Sequence, residues 1–144
     1  MSVCTEHKKS NIVNITFGVP QGSVLGPLLY LIYVDSTRFY VVGLLTSFAD
    51  DTAILVTGKT VQEFVDNANN SLGGLNSFVS ESLLAVNAKK TIYMIFKRTG
   101  THGELPQPIR FNAVKIDRIE ETRYLGFVID CNLSWKKHSD FVCY

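Results

Sequence analysis

Several residue types are scarce in this 144-residue chain, and each scarcity narrows what the protein can be. Its three cysteines (Cys4, Cys131 and Cys143) are odd in number and have no metal-binding spacing. This pattern indicates reduced thiols rather than a disulfide scaffold or a zinc site. The first residues contain no apolar core, so we expect no signal peptide. The uninterrupted apolar runs are too short to cross a bilayer, so we expect no membrane partner.

Net charge is also nearly absent. The chain has 14 Lys and Arg against 13 Asp and Glu, a formal net charge of +1. Nucleic-acid-binding domains usually carry a stronger basic excess, so the overall charge neither supports nor excludes such a partner. Hydrophobic residues make up 46% and charged residues 19%. This composition is typical of one globular domain with a core of its own.

Hydrophobic periodicity predicts a first helix after a Gly/Pro turn at residues 18–23. Ser23 is its expected N-cap, and the helix should end near Asp35. Its apolar stripe has helical spacing and consists of Leu25, Leu28, Leu29 and Ile32.

A second helix is predicted from Thr60, because Thr60 and Glu63 form a capping box. It should end near Ser82, and the pair Gly73-Gly74 weakens its middle. Strands are predicted at 11–17, 39–48, 52–57, 92–97, 109–111, 114–117 and 124–129, and an amphipathic segment at 133–144. The fold class is therefore α+β, with helices packed on one face of an antiparallel sheet.

Two adjacent carboxylates, Asp50 and Asp51, fall in the short link between two of the apolar strands. Asp is a common turn residue, so an isolated Asp-Asp pair favours a solvated turn. Here apolar strands run directly into both residues and predict a tight hairpin. Like charges this close repel, and a divalent cation would neutralise them. A hairpin that fixes two carboxylates suits two-metal phosphoryl transfer.

At this point the chain resembles reverse transcriptases, in particular those of non-LTR, jockey-like retrotransposons. Four blocks carry the resemblance in the family's order: Gly18–Pro27 resembles palm motif B, Phe48–Asp51 motif C, Leu84–Thr91 motif D, and Tyr124–Asp130 the primer-grip region. Residues 1–144 are thus interpreted as a partial reverse transcriptase domain with palm motifs B to E. The implied fold is an incomplete polymerase palm.

The resemblance implies roles for six residues. Asp50 and Asp51 would bind Mg²⁺, or Mn²⁺ in its place, and carry catalysis. Gln21 and Gly22 would lie against the incoming nucleotide and the template base. Lys90 would sit near the triphosphate, although a solvated turn explains Lys89-Lys90 equally well. Phe48 would pack beside the ribose, although a Phe at a strand end is more often core; Trp135 and His138 are interpreted as packing or surface residues.

The implied reaction is RNA-directed DNA synthesis, in which deoxynucleotides are added to a primer 3′-OH. The partners would be an RNA template, a DNA primer and deoxynucleoside triphosphates, and the compartment would be the nucleus. The residues before Gly18 offer no match to the family's motif A, which supplies a further metal-binding Asp, and the fingers and most of the thumb have no counterpart. We therefore expect little activity from this chain by itself. The alternative is a catalytically dead or truncated retrotransposon-derived fragment with at most residual nucleic-acid binding; a structural α+β module with an incidental acidic turn is a third interpretation.

Overall fold

The computed structural model describes residues 4–5, 8–12, 14, 18, 22–96 and 105–143. The chain divides into two units, Met1–Ser36 and Thr37–Tyr144, and each is described by itself. The α+β class predicted from the sequence is confirmed, because α-helices and mainly antiparallel strand pairs together make up the fold.

The first unit contains a short strand pair and one helix. Strands β1 (Cys4–Thr5) and β2 (Lys8–Lys9) pair antiparallel. Most of the strand predicted at 11–17 lies outside the described residues, and the described positions 11, 12 and 14 belong to no strand. Helix α1 (Gly26–Asp35) ends where the periodicity predicted.

The start of α1 differs from the prediction. Its N-cap is Leu25, and no side chain caps it, so the expected Ser23 cap is wrong. The Ser23 carbonyl instead accepts the Gly26 backbone N–H at 3.3 Å, which forms a turn before the helix. Pro27 lies in the first helical turn, where its missing N–H costs little. The apolar stripe of α1 remains exposed rather than buried.

The second unit begins within a 3-10 helix and continues with a β-hairpin. The 3-10 helix spans Ser36–Phe39, so the strand predicted to begin at Phe39 starts later. The hairpin consists of β3 (Leu44–Phe48) and β4 (Asp51–Leu55) in antiparallel register. The predicted hairpin is thus confirmed, with a delayed start because the 3-10 helix includes Phe39 and residues 40–43 form no strand.

Helix α2 (Val61–Glu81) is the longest element, and its N-terminus follows the sequence closely. The Thr60 hydroxyl accepts the Glu63 backbone N–H at 3.1 Å, which confirms the predicted cap. The Glu63 carboxylate accepts the Lys59 backbone N–H at 2.8 Å. Two otherwise unsatisfied backbone donors at the helix start therefore find acceptors.

The core of the second unit lies between α2 and the strands that follow it. Ala68 of α2 is buried with Ile109, Phe111 and Ile116, and partly buried residues of both regions pack around them. The α2 members of this core, Phe64, Ala68, Leu72 and Leu75, recur at intervals of three or four residues and therefore form one face of the helix. Burial of that face, rather than intrinsic helix propensity, stabilises a 21-residue helix that contains two glycines.

The remaining strands are short and form separate pairs within the described residues. They are β5 (Ile92–Tyr93), β6 (Arg110–Phe111), β7 (Val114–Lys115), β8 (Asp117–Arg118), β9 (Glu121–Tyr124) and β10 (Phe127–Asp130). Strands β6–β7 and β9–β10 pair antiparallel, whereas β5–β8 pair parallel.

The single strand predicted at 124–129 is wrong, because Leu125 and Gly126 form the turn of the β9–β10 hairpin. Both have positive φ, 48° and 88°, as a two-residue hairpin turn of this kind requires. Helix α3 (Lys136–Val142) closes the described chain and lies in the segment predicted to be amphipathic. None of the described helices combines the length and apolarity needed to cross a bilayer.

Candidate metal-binding hairpin

The turn between β3 and β4 is two residues long and places the carboxylate pair at its tip. Ala49 and Asp50 form the turn, and Asp51 is the first residue of β4, directly opposite Phe48. Ala49 has φ 51°, a left-handed conformation that residues other than Gly, Asn and Asp rarely adopt. Such strain is stored only where the surrounding structure imposes it, and here the strand pairing does so.

The other face of the hairpin tip carries a pair of hydroxyl groups that the sequence did not single out. Ser47 and Thr52 are direct cross-strand partners, and their hydroxyl oxygens are 3.3 Å apart. Strand alternation places them on the face opposite Phe48 and Asp51. The cross-strand register of β3 and β4 identifies this hydroxyl pair once that register is known.

Asp50 and Asp51 are both exposed, and neither carboxylate has a hydrogen bond or ion pair with any described residue. Two adjacent carboxylates without a cationic partner repel each other. All their lone pairs are available to an external ligand. Mg²⁺ prefers one or two carboxylates with water and phosphate oxygens completing its shell, so this donor pair fits a hard divalent cation.

The pair would supply only part of such a coordination shell. Across the described ranges, no group of three or more His, Cys, Asp or Glu side chains is arranged to hold a metal ion. The remaining ligands would come from water, substrate or carboxylates not described in this structure.

Phe48 lies beside the carboxylate pair, and its ring is 64% exposed. A phenyl ring that formed part of the core would be largely buried. The alternative interpretation of Phe48 as a core residue is therefore wrong for this structure. The exposed ring provides an apolar surface next to Asp51.

The other predicted site residues, Gln21, Gly22 and Lys90, are not part of the β3–β4 hairpin. Gln21 lies outside the described residues, and Gly22 belongs to the first unit with φ 82°. Lys90 is exposed in a turn whose backbone bonds to Asn87: the Lys90 N–H donates to the Asn87 carbonyl at 3.0 Å. No described hydrogen bond or ion pair joins the Lys90 ammonium group to Asp50 or Asp51.

The block that resembles the primer-grip region is the β9–β10 hairpin followed by α3. Four rings pack together there: Phe127 contacts Trp135 and His138 with centroids 6.3 and 5.1 Å apart, and His138 stacks on Phe141 at 6.5 Å. The Val128 N–H donates to His138 Nδ1 at 3.3 Å. These contacts fasten α3 to β10.

Asp130 fixes the elbow between β10 and α3. It is almost fully buried and accepts hydrogen bonds from the Asn132 N–H, the Ser134 N–H and the Ser134 hydroxyl. The Ser134 hydroxyl hydrogen bond is the main cause that lowers the pKa of Asp130. The carboxylate thereby stays ionised while it organises the turn.

An exposed carboxylate pair at the tip of an antiparallel hairpin, in a chain of mixed α+β class, is consistent with a partial polymerase palm. The family model described as "Reverse transcriptase (RNA-dependent DNA polymerase)" matches residues 2–129. The chain therefore belongs to the reverse transcriptase family, and the resemblance to the enzymes of jockey-like non-LTR retrotransposons is confirmed. Enzymes of this family use divalent metal ions.

The similar proteins are much longer than this chain. It is 32% identical over 129 residues to "Probable RNA-directed DNA polymerase from transposon BS" of Drosophila melanogaster, which covers 84% of this chain and 14% of that protein. It is 29% identical over 145 residues to "RNA-directed DNA polymerase from mobile element jockey" of Drosophila funebris, covering 95% of this chain and 16% of that protein. A protein of the Drosophila melanogaster X-element is 28% identical, with 95% and 15% covered. No solved structure matches the chain.

Proposed function

We propose that this chain contributes the metal-binding turn of an RNA-directed DNA polymerase that adds deoxynucleotides to a primer 3′-OH. The observation that carries the proposal is the pair Asp50-Asp51, which is exposed at the tip of a two-residue hairpin turn and has no side-chain partner among the described residues. The family match supplies the reaction class. The cost of placing two like charges side by side is repaid when they bind a cation.

Asp50 and Asp51 would hold Mg²⁺, or Mn²⁺ in its place. When bound, the cation supplies electrostatic stabilisation of the charge that develops during phosphoryl transfer. The protein would present the two carboxylates in a fixed orientation. It would also leave them unpaired with Lys or Arg side chains, so that they can bind the metal ion. The exposed ring of Phe48, opposite Asp51, would provide an apolar wall for the sugar of the nucleotide.

The remaining roles follow from the family motifs in residues 1–144, which would form the palm from motif B to the primer-grip region. Gln21 and Gly22 would lie against the nucleotide and the template base, where the absence of a side chain at Gly22 permits close approach. Lys90 would approach the triphosphate with an ammonium group that forms no ion pair within the part of the chain that the structure describes. The partners would be an RNA template, a DNA primer and deoxynucleoside triphosphates.

A second candidate, a non-catalytic piece with residual nucleic-acid binding, is favoured by one observation. The described residues offer two carboxylates and no larger cluster of metal-ligating side chains. A cation held by two carboxylates and water binds weakly. We therefore expect the 144-residue polypeptide by itself to bind the cation weakly and to extend primers poorly.

Metal binding tests the proposal directly. Mn²⁺ titration followed by electron paramagnetic resonance should detect a site in the unmodified polypeptide, and Asp50→Asn or Asp51→Asn should weaken it at least tenfold. Asp117→Asn is the matched control, because Asp117 is an exposed carboxylate in β8. Equal Mn²⁺ affinity in the unmodified chain and in both site variants would contradict the proposal.

Catalysis is tested by primer extension on a poly-A template with Mg²⁺ or Mn²⁺. Slow extension that Asp50→Asn abolishes would support the polymerase role. Robust extension abolished by the same variant would support the role but overturn the expectation of low activity. Mn²⁺ binding without any extension would favour the second candidate.

A further inference from the structure

The hairpin that carries the carboxylates is joined to the rest of its unit by two stems. The entering stem is 40–43 and the leaving stem is 56–59. Among the residues of α2 that contact these stems, five recur at helical spacing along one side of the helix. This stem-facing stripe consists of Asn67, Ser71, Gly74, Phe78 and Glu81. Intervals of three or four residues place them in one row.

Asn67 holds the leaving stem. Its side-chain Nδ2 donates to the Thr57 carbonyl oxygen at 2.9 Å. The next residue, Gly58, lies so close to Phe64 of α2 that a β-carbon at Gly58 would overlap the Phe64 backbone. The leaving stem is thus fixed by one polar bond and one close backbone approach.

Ser71 holds the entering stem. Its hydroxyl donates to the Val42 carbonyl oxygen, and the residue is only 1% exposed. A buried hydroxyl that lacks an acceptor is costly, so the bond from Ser71 favours a single position of the stem. Asn67 and Ser71 are four residues apart, so one turn of α2 holds both stems.

Tyr40 extends the contact along the entering stem. Its backbone passes against Gly74, its ring lies 5.5 Å from that of Phe78, and its hydroxyl donates to Glu81 Oε2 at 2.7 Å. Three consecutive members of the stripe therefore contact this one residue.

Apolar packing holds the hairpin less firmly than the contacts between its stems and α2 do. Leu44 and Leu55, which face each other across the strands, are 64% and 51% exposed, and Phe48 is exposed as well. Leu45 and Ile54 are only half-buried. The contacts of the stems with α2 therefore determine much of the hairpin's orientation.

We propose that Asn67 and Ser71 are positioning residues that fix the carboxylate pair by holding both stems of its hairpin. This inference rests on the proposed function of Asp50 and Asp51. Five-residue strands put the tip roughly 17 Å from the stems. A hinge rotation of about 10° at the stems would then move the tip by about 3 Å. Polymerase geometry is sensitive to misplacement of about 1 Å.

The test compares stem variants with controls on the same helix. Ser71→Ala removes one donor, and Asn67→Asp replaces a donor with a carboxylate of the same size at a half-buried position. Ser80→Ala is the control, because the Ser80 hydroxyl donates only within α2, to the Asn76 carbonyl at 2.8 Å. Should Ser71→Ala fail to fold, Asn67→Asp decides the outcome.

The first measurement is amide hydrogen exchange. In both stem variants we expect amides of the β3–β4 hairpin to exchange about fivefold faster, the size expected for loss of one hydrogen bond. Amides of the β9–β10 hairpin should change no more than they do in the control. A uniform increase in both hairpins would indicate general destabilisation and would overturn the proposal, as would no change.

The second measurement separates this inference from the proposed function. Mn²⁺ bound at the tip should broaden the NMR signals of a fixed set of α2 amides. In the stem variants this broadening should be weaker and should extend over more amides. The Mn²⁺ affinity of these variants should stay within twofold of that of the unmodified chain. Unchanged broadening in both variants overturns the positioning role although metal binding stands. Absence of Mn²⁺ binding in the unmodified chain overturns the proposed function and the positioning role, while hydrogen exchange still reports whether the stems are held.

Discussion

Two adjacent glycines in α2 should respond differently to the same substitution. A β-carbon at Gly73 would meet no atom within 4 Å, whereas at Gly74 it would overlap the Tyr40 backbone carbonyl. Both residues lie in the interior of the same helix. Gly73→Ala and Gly74→Ala therefore differ only in what lies outside the helix, and each serves as the control for the other.

The magnitudes follow from two terms. Alanine is favoured over glycine in a helix interior by about 1 kcal/mol, so Gly73→Ala should raise the free energy of unfolding by about that amount. Gly74→Ala gains the same helix propensity. Overlap with a backbone carbonyl, which cannot rotate away as a side chain can, costs roughly 1–3 kcal/mol. The net effect should lie between neutrality and about 2 kcal/mol of destabilisation.

Urea unfolding followed by far-ultraviolet circular dichroism measures both effects, since α2 is the longest helix described. The midpoint should rise for Gly73→Ala and stay level or fall for Gly74→Ala, with equal slopes. If Gly74→Ala stabilised the protein as much as Gly73→Ala, the close approach of Tyr40 to α2 would be refuted. One of the contacts between the entering stem and α2 would then be excluded.

Three further predictions concern other contacts. Thr60→Ala removes the N-cap of α2 and should lower the free energy of unfolding by about 1 kcal/mol in the same urea assay, whereas an unchanged midpoint would argue against the cap. The hydrogen bond from Ser134 lowers the pKa of Asp130, so the stability it contributes is complete above about pH 4 and is lost as pH falls through the lower native pKa. Urea midpoints measured from pH 5 to pH 2 should therefore fall less steeply in Asp130→Asn, and parallel curves would contradict this. The hydrogen bond to Glu81 raises the pKa of Tyr40, so that contribution is complete below about pH 10 and is lost as pH rises through the native pKa. Tyr40→Phe should remove this alkaline loss, and an identical alkaline profile in the variant would show that the bond contributes nothing.

Local signals in the sequence predicted the helices and the acidic hairpin well. The capping box at Thr60 satisfies backbone donors within one turn, so its effect needs no distant residue. The hairpin follows from two apolar runs with almost no link between them. The carboxylate pair is likewise local, because Asp50 and Asp51 are neighbours in the chain.

Local signals did not predict the structure where the backbone conformation departs from the pattern of side chains. Tyr124 to Ile129 has the composition of one strand, but positive φ at Leu125 and Gly126 turns the chain back on itself. A leucine in a left-handed conformation is held there by the pairing of the flanking strands, which a single run of residues does not reveal. The Ser23 cap failed for a related reason, because a turn intervenes before α1.

The sequence by itself therefore determined the family, the α+β class and the place of the adjacent carboxylates Asp50 and Asp51, because these depend on residues close together in the chain. Tertiary structure decided that Phe48 is exposed beside the carboxylates and that Gly74, which weakens α2 by propensity, lets the entering stem approach the helix. It also decided that Asn67 and Ser71 hold the hairpin. Those contacts join residues 10 and 29 positions apart, and only the packing of α2 against the stems brings the donors within reach of their carbonyl acceptors.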